Sequence, residues 1–121
     1  INKNDNLFFD NKYIDLKNYL SKNYDLKCVQ LFTYDAIIPY LLKKEYCTKF
    51  NFLYVLSSDS VQERMIKELE INMPRIIIFN ENYDFLFLKP VEERFKKINN
   101  YIVKNYIIDG KINNWVIYKK R

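Results

Sequence analysis

Four large apolar residues in succession, Ile76, Ile77, Ile78 and Phe79, narrow the folds open to this chain more than any other feature. Consecutive side chains of a strand point to opposite faces, so such a run needs apolar cover on both. A mostly β-branched run fits a strand inside a sheet with helices on each side, the setting a parallel sheet provides. The preceding segments keep to that grammar. Residues 27–33 read as a strand, with Gln30 the one polar interior residue, and residues 52–56 as another. Asp35 suits an N-cap, because its carboxylate can accept from free backbone N–H groups. Ile37, Ile38, Leu41 and Leu42 then mark a helix, and Pro39 must lie in its first turn or kink it. Ser60-Val61-Gln62-Glu63 matches a capping box, with Ser60 as cap and Glu63 reaching back. Val61, Met65, Ile66 and Leu69 form the apolar stripe of that helix.

The remaining segments extend the pattern at both ends. Residues 1–10 read as a lead-in, and Tyr13, Leu16, Tyr19, Leu20 and Tyr24 give one face of a helix. Pro90 suits the first position of a late helix whose dipole Glu92 and Glu93 complement, and Phe95, Ile98, Ile102 and Tyr106 carry its period. Asp109-Gly110 is a two-residue turn signal and predicts a closing hairpin, with a longer loop through Asn113-Asn114 as the variant. Lys119, Lys120 and Arg121 read as a solvated tail. The expected fold class is therefore α/β: a small three-layer domain, residues 1–121, with a mainly parallel central sheet, helices on both faces and a C-terminal β-hairpin. Residues 27–33, 52–56 and 75–79 would form the parallel core.

Composition removes several chemistries. A single glycine, Gly110, excludes a P-loop and a dinucleotide-binding GxGxxG loop, which need close backbone approach to phosphate. The absence of histidine removes His-based triads, HExxH sites and Cys/His zinc sites. No metal or cofactor is expected. At 121 residues the chain can bury about two-thirds of its unfolded surface in one core. The net charge of +5 and pI near 9.1 permit contact with anions. Lysines are nevertheless spread along the chain and interleaved with acids, which reads as a solvated surface rather than a patch. Cys28 and Cys47 read first as two small buried hydrophobes. A disulfide would suit an extracytoplasmic domain, and a reactive thiolate would need a cationic neighbour that no motif supplies. The chain begins at Ile1 rather than Met and is read as a piece excised from a larger protein. It contains no run of the ~20 apolar residues that a membrane span needs.

In order and spacing, residues 12–120 resemble the C-terminal soluble region of polytopic membrane glycosyltransferase-like proteins, the dolichyl-phosphate-mannose mannosyltransferase type. The similar pieces are NYLSKNY (18–24), TYDAIIPYLLKK (33–44), the connector YCTKFNFLY (46–54), SVQERMIKELEINMPRIIIF (60–79), INNYIVKNY (98–106) and GKINNWVIYKK (110–120). The resemblance implies an extracytoplasmic α/β domain following a multi-span membrane body. Its partners would be that membrane-embedded remainder and a glycan or lipid-linked sugar. Where such proteins carry arginine after the connector threonine, this chain has Lys49, which keeps the charge and loses the bidentate fork. The carboxylate that such transferases use lies in the membrane body, so no catalytic residue carries over.

Two surfaces are candidates for binding. If the strands at 27–33 and 52–56 are parallel neighbours, their C-terminal ends gather Tyr34, Asp35, Ser58 and Asp59, with Lys49 nearby, at an edge where open α/β sheets take ligands. The same residue types equally serve as helix caps. Tyr83, Phe85 and Phe87 alternate and would share one strand face, as a sugar- or base-stacking surface or as core. Adjacent Glu92 and Glu93 diverge by about 100° on a helix and do not form an acid/base pair. The leading expectation is a non-catalytic, membrane-associated domain on the extracytoplasmic side that helps hold acceptor, lipid-linked donor or partner. A stand-alone basic binding module, for instance for nucleic acid, is second and disfavoured by the dispersed charge. A small enzyme built on Cys28 or Asp35 is third.

Overall fold

A computed structural model describes residues 11–32, 37–49, 58–80 and 96–121. The elements run α1 (Asn11–Asn23), β1 (Gln30–Phe32), α2 (Ile37–Leu42), α3 (Asp59–Asn72), β2 (Ile76–Asn80), α4 (Lys96–Asn105), β3 (Tyr106–Ile112) and β4 (Trp115–Lys120). Helices and a four-stranded mixed sheet of order β1-β2-β4-β3 make an α/β domain.

The Ile76–Ile78 run behaves as its chemistry requires. All three side chains are buried, and they divide between two cores. Ile77 joins Phe32, Met65, Leu69, Ile98, Ile102 and Tyr106 on the face covered by α3 and α4. Ile76 and Ile78 join Leu16, Leu20, Leu31, Ile38, Trp115 and Ile117 on the face covered by α1 and α2. Helices thus cover both faces of the sheet.

The expectation of a mainly parallel sheet is corrected. Among the described strands only β1 and β2 are parallel, with Leu31 opposite Ile78. On its other side β2 pairs antiparallel with β4, Ile78 opposite Ile117, and β4 pairs antiparallel with β3. The apolar run demanded two covered faces and was silent on the direction of its neighbours. The expected strand at 52–56 lies outside the described residues. So do the cap Asp35, the lead-in at 1–10, Pro90, Glu92, Glu93 and Phe95.

The C-terminal hairpin is present, but its turn is Asn113-Asn114 rather than Asp109-Gly110. Ile112 faces Trp115 across a two-residue loop, and Asn113 has φ 53°, a left-handed conformation that asparagine tolerates. Asp109-Gly110 lies inside β3, where the register shifts between Ile108 and Gly110. Long-range packing explains this use of the pair. A Cβ on Gly110 would stand 2.5 Å from the Tyr19 hydroxyl of α1, while Asp109 accepts from the Tyr24 hydroxyl and pairs with Lys119 at 3.3 Å.

The N-cap of helix α3 is Ser58, not Ser60. The Ser58 Oγ accepts the Val61 N–H at 3.3 Å from an extended backbone, which places Ser60 inside the first turn. The helix ends at Met73 in the left-handed conformation, φ 45°, with its N–H donated to the Leu69 carbonyl. Pro39 is the third residue of α2, where a missing N–H is harmless.

Cys28 and Cys47 are joined by a disulfide, with Cα atoms 5.0 Å apart. This replaces the first reading of two free buried hydrophobes and removes any thiolate. The bond fastens residues 45–47 along the outer edge of β1. There Val29 N–H donates to Glu45 O at 2.8 Å, and Cys47 N–H donates to Val29 O at 2.9 Å. Beside it, the fully buried Gln30 accepts from Thr48 Oγ1 at 2.9 Å and donates to Leu31 O at 3.2 Å. The polar residue inside the first strand is therefore satisfied locally, as a buried amide must be.

Candidate functional site

Because β1 and β2 are parallel, Phe32 and Asn80 end at the same edge of the sheet. Helix α3 leads into β2 through only three residues, so it runs back along the sheet and brings its N-terminus, Ser58 and Asp59, toward that edge. The start of α4 lies beside it, since the Ile98 N–H donates to Gln62 Oε1 at 3.4 Å. The described part of the expected binding edge is thus the pair of N-terminal turns of α3 and α4.

Its chemistry is a small exposed charge cluster. Lys97 pairs with Glu63 and lies 3.9 Å from Asp59. The hydrogen bond from Lys97 holds the Glu63 carboxyl below its usual pKa, and the same bond raises Lys97. Asp59 also complements the α3 dipole. Two carboxylates at the start of α3 oppose an incoming anion, and Lys97 is already shared between them. Ser58 spends its Oγ on the cap.

Lys49 does not join this cluster. Its ammonium lies 3.7 Å from Glu68, whose Oε1 also accepts the Lys49 backbone N–H at 3.2 Å. Glu68 follows Asp59 by nine residues on the same helix, which puts Lys49 about 13 Å further along α3. Tyr34 and Asp35 lie outside the described residues, as do Tyr83, Phe85 and Phe87. The structure therefore brings Ser58 and Asp59 together and sets Lys49 apart.

Two polar groupings escaped the sequence reading. One is the Tyr24–Asp109–Lys119 cluster on the β3 bulge, which fixes the end of α1 to the sheet. Its only sequence signal was an acidic residue in a strand, masked by the turn-like glycine that follows. The other is a shallow depression of about 200 Å³ lined by Leu20, Ser21, Tyr24, Asp25, Leu26, Leu42 and Lys44. It is smaller than the 300–1,000 Å³ usual for small-molecule sites. Among the described residues no group of three His, Cys, Asp or Glu side chains could hold a metal, and no helix is long and apolar enough to cross a membrane.

Comparison with known protein families, curated proteins and solved structures finds no match to the chain.

Proposed function

We propose that this chain is a non-catalytic, extracytoplasmic α/β domain of a membrane glycosyltransferase-like protein, where it helps hold acceptor, lipid-linked donor or partner. The observation that carries the reading is the Cys28–Cys47 disulfide. Structural disulfides persist in oxidising compartments and are rare in the cytosol, so the bond favours the extracytoplasmic side. The family resemblance supplies the membrane body. The described polar residues of the strand-end edge support a structural rather than catalytic role. Ser58 caps α3, and Asp59 and Glu63 hold Lys97. Sugar transfer needs a base beside the acceptor and a site for the leaving phosphate, and in this reading both come from the membrane body.

The test has two arms. Purified chain is incubated with a polyprenyl-phosphate sugar and candidate acceptors, and no transfer is expected. Reproducible transfer that Asp35→Asn abolishes would overturn the non-catalytic reading and make the strand-end edge an active site. In the second arm, cells making the native parent are quenched in acid, and thiols are alkylated before lysis. Cys28 and Cys47 should escape modification. Full labelling of both would put the domain in a reducing compartment and remove the reading's main support.

A further inference from the structure

The end of the domain opposite the strand-end edge has a distinct surface. Helices α3 and α4 both finish there, and β2 and β3 both begin there. Hydrogen bonds run across it in sequence. Arg75 Nη1 donates to Asp25 O at 3.3 Å, Lys120 N–H to Arg75 O at 2.9 Å, and Arg121 N–H to Asn105 O at 2.9 Å. Arg121 Nη2 also reaches Val103 O at 3.3 Å, and Tyr106 Oη donates to Pro74 O at 2.6 Å. Segments distant in sequence are thereby one continuous rim.

That rim combines two properties. It carries Arg75, Lys104, Lys120 and Arg121 against the acids Asp25 and Glu70. It also carries large apolar side chains in water: Ile71 is 77% exposed, Met73 58%, Val103 49% and Ile107 43%. Met73 is the most telling of these. It occupies a left-handed helix end, φ 45°, a conformation that favours glycine and disfavours a bulky side chain. An exposed methionine at such a position has no folding advantage over glycine.

We infer that this end of the domain is a membrane-surface site: Ile71, Met73 and Val103 enter the headgroup–acyl boundary of an anionic phospholipid bilayer while Arg75, Lys104, Lys120 and Arg121 contact lipid phosphates. Interfacial binding requires this pairing of exposed aliphatic groups with adjacent cations. Single-stranded nucleic acid would instead call for exposed rings on which bases stack. The rim exposes aliphatic side chains, and the one tyrosine that begins β3, Tyr106, is buried. The inference rests on this surface alone and does not require the reading under Proposed function.

The test is flotation of the full 121-residue chain with vesicles of phosphatidylcholine alone and with vesicles of equal parts phosphatidylcholine and phosphatidylglycerol. Binding is expected to the anionic vesicles only and should weaken with added salt. Met73→Gly/Val103→Ser should lower the partition coefficient roughly tenfold, since binding scales with the apolar area inserted. Glycine suits the conformation of residue 73, and both sites are exposed, so the fold is retained; far-UV circular dichroism checks this. Lys104→Glu/Arg121→Glu should lower it by about tenfold or more, through the loss of two surface cations. Equal binding to both vesicle types, no binding to either, or an unchanged coefficient in both variants overturns the proposal. Binding of a single-stranded oligonucleotide that Lys104→Glu/Arg121→Glu abolishes, without binding to vesicles, would reassign the rim to nucleic acid.

Discussion

Loss of the Cys28–Cys47 bond should be a large stability change for a domain of this size. The two cysteines are 19 residues apart in sequence. In the chain-entropy account, opening a loop of that length returns roughly 11 cal/mol/K to the unfolded chain, or ~3 kcal/mol at 25 °C. Folding entropy for a chain of 121 residues is about 0.25 kcal/mol/K near the melting temperature. The expected drop in Tm is therefore about 12 °C. The bond also holds residues 45–47 on β1 through the pair of backbone hydrogen bonds at Val29, so local fraying should deepen the loss rather than offset it. The comparison is oxidised wild type against Cys28→Ser/Cys47→Ala. Cys47 is the more buried partner and takes the apolar replacement. Thermal unfolding followed by circular dichroism gives Tm, and urea titration gives the midpoint. Thiol titration of the native protein is done first and should find none. A Tm within about 3 °C of wild type, under 1 kcal/mol on the same conversion, would refute the reasoning. Two titratable thiols in the native protein would refute its premise.

Three further outcomes follow from single side chains. Ile77 is fully buried in the strand between β1 and β4, so Ile77→Ala should cost about 2–5 kcal/mol in urea unfolding through lost burial plus a residual cavity. Ser58→Ala should cost ~0.5–2 kcal/mol by the same assay, because the Val61 N–H loses its acceptor. Ser60→Ala should be nearly silent, and the reverse ranking would return the cap to Ser60. Tyr106 donates to Pro74 O from a buried site, and burial raises its phenol pKa above the ordinary value of 10.0. Above that pH the unfolded chain releases the proton first and holds fewer protons than the native state, so stability falls as pH rises. The contribution is fully present below pH 10.0 and is lost progressively above it. In Tyr106→Phe, which removes this phenol, the alkaline fall in Tm should be shallower than in wild type.

What the sequence made legible was burial, and what it left open was pairing. The run Ile76–Ile78 announced a strand covered on both faces, and the structure places its side chains in two cores. The same run cannot distinguish a parallel neighbour from an antiparallel one. β2 has one of each, the second delivered by a hairpin that starts 26 residues after its end. Turn chemistry was ambiguous in a similar way. Asp109-Gly110 and Asn113-Asn114 are both good local turn sequences. In the fold Asp109-Gly110 packs against Tyr19 and Tyr24, which lie about 90 residues away along the chain, a contact that local turn chemistry does not encode. Ser58 and Ser60 compete as caps within a single turn, and residue type alone does not rank them. The disulfide depends on the parallel bridge between Val29 and Tyr46, a tertiary contact that no spacing rule encodes.

Charge shows the same limit with more consequence for function. Read along the chain, the basic residues look evenly scattered, and scattered charge is properly discounted. Sheet topology changes what scattered means. Strand starts and helix ends that belong to different parts of the sequence share one rim of an α/β domain. Residues 75, 104, 120 and 121 therefore become neighbours through the register of β2, β3 and β4. The exposed aliphatic residues follow the same route, since Ile71, Met73 and Val103 sit where α3 and α4 finish. A pattern that composition cannot separate from a solvated surface thus acquires a definite place, at the end opposite the strand-end edge. The two ends differ in chemistry as well as position: Asp59 and Glu63 flank Lys97 at one, and four cations rim exposed aliphatic groups at the other.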